Sequence, residues 1–206
     1  MSEEEVVRVN VAKTFKNFEL KVNFSVMKNE KVLIQGPNGS GKTTLLYLIY
    51  GILKPDSGYV TVFGETPSLK LRQDKMYMLE EYLIFLENST LKENLKFITS
   101  LRYFNIDKLE ALINKFRLSL DKKPYQLSSG QRRLFKLALA FSSEAELLLL
   151  DEPTSSLDLE NSNLVKDMIK EYNGTVIYAS HDLLLKESAH RILYLRNGKV
   201  ERIEIR

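Results

Sequence analysis

The chain has 206 residues, 44% hydrophobic and 10% aromatic, enough for one substantial core or a core with a small satellite subdomain. It contains no cysteine, which excludes disulfides and thiolate metal sites; its formal charge of +3 comes from basic residues scattered among acids, so nucleic acid is not an expected partner. The opening Ser2-Glu3-Glu4-Glu5 reads as a solvated terminus and not a signal peptide, since no apolar stretch follows a basic start.

Val6 to Val11 and Phe18 to Val26 alternate, or nearly so, and predict antiparallel strands with a turn near Asn17. The apolar run from Val32 enters the glycine-rich stretch Gly36-Pro37-Asn38-Gly39-Ser40-Gly41-Lys42-Thr43-Thr44. Leu45 to Leu53 follows as a helix apolar on most faces, predicted to be buried; it is far below the roughly 20 residues that cross a bilayer. Pro55-Asp56-Ser57-Gly58 signals a turn before a strand at Tyr59 to Phe63. From about Tyr82 to Gln126 the pattern is helical: Thr90 and Glu93 make a capping box, and Ile106, Leu109, Leu112, Ile113 and Phe116 recur at helical spacing. A helix at Leu134 to Phe141 and a strand at Leu147 to Leu150 come next. Leu164, Val165, Met168, Ile169 and Tyr172 mark another helix face, closed by Asn173-Gly174, and Thr175 to Ala179 is again a strand. Ile192 to Leu195 and Val200 to Ile205 form a hairpin through a type I′ turn at Asn197-Gly198. The alternation is that of an α/β fold.

The pattern G-x-x-x-x-G-K-[ST] between a strand and a helix is a phosphate-binding loop. Glycines let the backbone curl and aim N–H groups at phosphate oxygens, and the helix that follows turns the positive end of its dipole to the same anion. Lys42 neutralises the β- and γ-phosphates, and Thr43 offers a hydroxyl to Mg²⁺. This loop alone fits kinases, GTPases and ATPases. Asp151 and Glu152 end the strand that begins at Leu147; Asp151 would hold Mg²⁺ through water, and Glu152 would accept a proton from, or polarise, the water that attacks the γ-phosphate. Ser128 and Gln131 form S-x-x-Q, which an ordinary capping box explains, yet a helix N-terminus is also an anion site suited to a phosphate brought by another subunit.

With these residues in view, the chain closely resembles the nucleotide-binding domain of the ATP-binding cassette (ABC) family over nearly its whole length. The nine-residue loop is similar to Walker A, and Leu127-Ser128-Ser129-Gly130-Gln131 to the signature sequence. Asp151 and Glu152 resemble Walker B with its catalytic glutamate, Ser155-Ser156-Leu157-Asp158 the D-loop, and Ser180-His181-Asp182 the switch histidine. The resemblance makes Phe15 the aromatic that stacks on adenine, with Phe18 the rival, and puts Glu81, beside Glu80, where the family has a magnesium-ligating glutamine. Ser129 stands where the family usually has glycine, which narrows the approach to the phosphate. His190 has no motif around it and reads as structural.

The implied fold is a P-loop NTPase of the ABC type: a RecA-like mixed sheet core, an antiparallel β subdomain and an inserted helical subdomain. Residues 1–206 would be one ABC ATPase domain, with 1–81 and 127–206 as the core and its β part, and 82–126 as the helical insertion. The implied cofactors are ATP and Mg²⁺. The implied working state is a head-to-tail dimer, with an identical or different second ABC subunit, sandwiching two ATPs. A separate membrane permease would dock near Glu81 to Leu95, which places the chain in the cytoplasm, peripheral on the inner face of the cell membrane. The alternative is a soluble, non-transport ABC ATPase, although the chain lacks the long coiled-coil insertion or tandem cassette expected of two such types. A noncatalytic nucleotide switch is disfavoured by Glu152 and His181.

Overall fold

A computed structural model describes residues 4–79 and 85–206. Inward valines on β1 (Glu5–Phe15) and Leu20, Val22 and Phe24 on β2 (Phe18–Met27) alternate with exposed polar residues, and the two strands pair antiparallel. β3 (Lys31–Gln35) is buried at every position, as a strand covered on both faces must be. After α1 (Lys42–Tyr50), β4 (Ser57–Val62) returns to the free side of β1 and completes a three-stranded sheet of order β2-β1-β4.

Beyond it come α2 (Leu69–Lys75), β5 (Met76–Leu79), α3 (Leu91–Leu101), α4 (Ile106–Lys115), α5 (Ser129–Ser142) and β6 (Leu147–Asp151). The chain finishes with α6 (Leu159–Glu171), β7 (Thr175–Ser180), β8 (Arg191–Arg196) and β9 (Lys199–Ile205). A six-stranded sheet of order β5-β6-β7-β3-β8-β9 results, parallel except for the antiparallel β9. This is the mixed sheet that the ABC-type fold requires.

Successive strand residues point to opposite faces, so β6 feeds two cores. Leu147 and Leu149 join α1 and the small sheet, whereas Leu148 and Leu150 join Phe135, Leu139, Val165 and Ile169 of α5 and α6. Helix α1 lies between the two sheets, with Leu45, Leu46, Leu48 and Ile49 buried, which explains why it is apolar nearly all round.

The elements differ from expectation in four places. Helix α1 stops at Tyr50 because Gly51 takes a left-handed φ of 79° and its N–H caps Leu48, leaving Ile52 exposed. α2 and β5 have no counterpart in the sequence reading: only Leu71 of α2 is buried, so no apolar stripe marks it, and β5 has four residues. α5 begins at Ser129, five residues before its first buried leucine. Tyr172 ends α6 in extended backbone, and Gly174 has no positive φ, so Asn173-Gly174 is not a left-handed cap. Glycine there lies against the Tyr172 ring instead, and its carbonyl accepts from the buried Lys31 Nζ at 2.8 Å. The hairpin turn is as expected, with φ of 47° at Asn197 and 73° at Gly198. His190 is structural: its Nδ1 accepts from the Lys31 N–H at 3.3 Å. Glu80, Glu81 and Tyr82 lie outside the described residues.

Candidate nucleotide-binding and catalytic site

Strand register gathers the site. Gln35 of β3 pairs with Ser180 of β7, and Asp151 of β6 pairs with Ala179, so the segments that leave these three strands emerge side by side at one sheet edge. The loop from Gly36 reaches α1 through Gly41, whose φ is 104° and whose missing Cβ would stand 2.8 Å from the Phe18 ring. Only glycine meets both demands. The buried Lys42 folds back over the loop, and its Nζ donates to the carbonyls of Gly36 at 2.9 Å and Pro37 at 3.3 Å. Nζ also pairs with Glu152 Oε1 at 3.2 Å. A cleft of 380 Å³ is lined by Phe18, Asn38, Gly39, Gly41, Lys42, Thr43, Thr44 and Glu152. Ser40 is buried, and its carbonyl accepts from the Gly198 N–H at 3.1 Å, so the tip of the β8–β9 hairpin supports the loop from behind.

Glu152 adopts a φ of 45°, and its N–H donates to the Ala179 carbonyl at 2.8 Å. Its Oε2 accepts from Ser180 Oγ at 3.2 Å and lies 3.0 Å from the Nδ1 of the exposed His181. Asp182 fixes the histidine turn, accepting from Thr154 Oγ1 at 2.9 Å and from the Leu184 N–H at 2.9 Å. Thr43 Oγ1 donates to Asp151 Oδ2 at 2.7 Å. Burial raises the Asp151 carboxyl above its ordinary range and Glu152 adds to that, while the Thr43 bond, Lys42 and Arg133 oppose it.

The donor set fits a magnesium nucleotide. Asp151 Oδ1 is buried without a hydrogen-bond partner, next to a threonine hydroxyl, and hard oxygen donors of this kind suit a divalent cation or its water. Among the described residues no group of three or more His, Cys, Asp or Glu side chains forms a cation cage. An ion held here would draw its remaining ligands from water or phosphate oxygens.

The residues expected as the signature, Leu127 to Gln131, do not line this cleft. Ser128 caps α5, accepting from the Gln131 N–H at 3.1 Å, and Gln131 Oε1 accepts from the Ser128 N–H at 3.2 Å, so the expected capping box is formed. Ser128 and Ser129 are exposed, and Leu127 is buried below them. The segment expected as the D-loop follows β6: Ser156 has a φ of 65°, Leu157 packs on the core, and Asp158 caps α6 through the Asn161 N–H at 2.8 Å. Phe15 is 41% exposed with its ring 6.2 Å from that of Phe18, and of the two it is Phe18 that lines the cleft. Sequence reasoning had no signal for the Ser180 bond to Glu152 or for the support from Gly198, both of which are long-range contacts.

A family model described as ABC transporter matches residues 20–155. This chain belongs to the ABC transporter family. Among relatives of this ABC protein, the putative hemin import ATP-binding protein HrtA of Staphylococcus haemolyticus is 33% identical over 214 residues, covering 93% of this chain and 97% of that protein. The probable sulfate/thiosulfate import ATP-binding protein CysA of Chlorella vulgaris is 32% identical, covering 94% and 88% respectively. The solved structure of a dimeric post-hydrolysis state of the ATP-binding cassette MJ0796, bound to ADP and Pi, matches with a TM-score of 0.85 at 28% identity, covering 97% of this chain and 98% of that one. The protein is an ATP-binding, ATP-hydrolysing subunit of an ABC transporter. Among the described residues no helix is long and apolar enough to cross a membrane.

Proposed function

We propose that this ABC subunit holds Mg-ATP at Gly36–Thr44 and closes with a second ABC subunit to cleave it, driving a separate membrane permease. The observation that carries the reading is one cluster: Lys42 paired with Glu152 at 3.2 Å, Glu152 facing His181 at 3.0 Å, and Thr43 bonded to Asp151 at 2.7 Å. Lys42 transfers from Glu152 to the β- and γ-phosphates. Thr43 and Asp151, with Glu81 by its place in the sequence, would hold magnesium, which would supply charge neutralisation for the phosphates. Glu152 takes a proton from the attacking water, and His181 and Ser180 orient its carboxylate. Phe15, beside the wall formed by Phe18, flanks the adenine.

The signature, Leu127 to Gln131, serves the other subunit's ATP. Its exposed Ser128 and Ser129 open a helix in which the capping box satisfies the Ser128 and Gln131 N–H groups while those of Ser129 and Gly130 have no i−4 acceptor within the helix, a natural phosphate site. Ser155 to Asp158 pass between the two sites. The helical subdomain that carries α3 and α4 receives the permease, and exposed Leu69 and Leu101 beside Arg72 and Arg102 extend that surface. The subunit then sits on the inner face of the membrane.

Light scattering of Glu152→Gln with ATP and magnesium tests the closure: a dimer is expected, and lone molecules with any natural companion subunit added would refute it. Recovery of the tagged protein from solubilised membranes with a multi-span protein is expected for the transport role; recovery with only cytosolic partners would overturn it.

A further inference from the structure

Glu152 occupies backbone space that disfavours any side chain with a Cβ, and such a conformation persists only where neighbouring bonds over-determine it. The peptide group joining Asp151 to Glu152 is held on one side by the Glu152 N–H, which donates to the Ala179 carbonyl at 2.8 Å. On the other side the Asp151 carbonyl accepts from Arg133 Nη1 at 3.4 Å. The second nitrogen of the same guanidinium, Nη2, donates to Ser155 Oγ. The Ser155 N–H donates in turn to the Glu152 carbonyl at 3.0 Å, so Arg133 clamps both ends of the turn that carries the glutamate.

Arg133 stands in the first turns of α5, just after the signature. Its neighbour Arg132 points elsewhere, to Glu87 at 3.1 Å. α5 and the D-loop are also in close backbone contact, since a Cβ at Gly130 would stand 2.7 Å from the Ser156 carbonyl. A 250 Å³ pocket lined by Ser129, Arg132, Arg133, Lys136, Ser155 and Ser156 opens beside this contact. The planar fork of arginine spans two acceptors that a point charge would not span.

We propose that Arg133 is a positioning residue for ATP hydrolysis: it ties the start of α5 to the turn that presents Glu152, so that engagement of the signature in one subunit adjusts the base in the same subunit. This rests on Glu152 being the base. The role concerns placement of the attacking water and not affinity for nucleotide, because Arg133 does not line the nucleotide cleft.

Steady-state ATPase kinetics and thermal melting of the full chain, with its partner subunits where turnover needs them, provide the test. Arg133→Gln is expected to lower kcat about tenfold, the scale of loss from a small misplacement, with KM for ATP and the melting temperature nearly unchanged. Arg133→Lys should recover part of kcat. Adding Ser155→Ala to Arg133→Gln should cost nothing more, since both break one link. Wild-type kcat in Arg133→Gln, or independent multiplicative losses in the double variant, would overturn the inference. Should Arg133→Gln not fold, Ser155→Ala alone decides: a several-fold fall in kcat at constant KM supports the clamp and an unchanged kcat refutes it. Glu152→Gln run alongside separates the two levels, because normal turnover there removes the base reading itself.

Discussion

Glu152→Gln isolates the proposed base because the amide keeps the shape of the carboxylate while losing its basicity. Gln can turn its oxygen to Lys42, 3.2 Å away, and its NH₂ to the His181 Nδ1, 3.0 Å away, with the Ser180 hydroxyl, which donates to that carboxylate oxygen at 3.2 Å, rotating its proton away. General-base assistance contributes about 10²–10⁴-fold, so kcat should fall at least about a hundredfold. The same change releases Lys42. A unit charge pair at 3.2 Å is worth about 5 kcal/mol at an effective dielectric of about 20, and screening at a glutamate 24% exposed reduces this to about 1 kcal/mol. That attraction competes with phosphate, so ATP should bind the variant about fivefold tighter. Phosphate release at saturating ATP and titration with a fluorescent ATP analogue read the two effects separately. Turnover close to wild type would eliminate Glu152 as base, and weaker ATP binding would eliminate the competition for Lys42.

Ser128→Gly separates capping from phosphate contact: glycine at an N-cap costs only a few tenths of a kcal/mol, so the melting temperature should hold while ATP-dependent dimerisation falls. Unchanged dimerisation measured by scattering would leave Ser128 as a cap alone. Leu149→Ala, at a fully buried β6 position in the core that holds α1, should cost about 2–5 kcal/mol in urea unfolding, and a loss below about 1 kcal/mol would contradict the packing. Tyr172, pushed up to about 12 chiefly by burial, keeps its proton while an unfolded tyrosine ionises near 10. Its contribution to stability is therefore full below pH 10 and is lost as pH rises from 10 through 12. Tyr172→Phe, which loses the bond to the Ala145 carbonyl, should be less stable than wild type by about 1 kcal/mol at pH 7 and show a smaller deficit at pH 11. An equal deficit at both pH values would reject the shift.

The parts of the fold that were legible are those whose chemistry is local. β3, β6 and β7 are apolar runs that end in residues with a task, and their burial on both faces leaves no other reading. Thr90 and Ser128 announce their helices by spacing alone, and both capping boxes form. α2 and β5 escaped because neither is long enough to display a period. The start of α5 was placed late because Gln131, Arg132 and Arg133 are polar, although the cap residue before them was identified. The site followed the same division. Asp151 ends β6, Glu152 and His181 directly follow β6 and β7, and Lys42 and Thr43 open α1 after the loop that leaves β3, so one sheet edge collects them. Phe18 as the cleft wall, Ser180 on Glu152 and Arg133 on the Asp151 carbonyl depend on approaches between distant segments that no spacing records.

Gly198 bonds to two places at once: its N–H to the Ser40 carbonyl at 3.1 Å and its carbonyl to the Lys21 N–H at 2.7 Å. The nucleotide loop thus leans on a hairpin encoded far downstream. On the ribosome, a nascent chain that has emerged through Asp182, just past β7, holds every residue assigned to chemistry and still lacks this buttress. Competence to grip nucleotide should therefore arrive late in translation, which spares half-made subunits from engaging partners or consuming ATP.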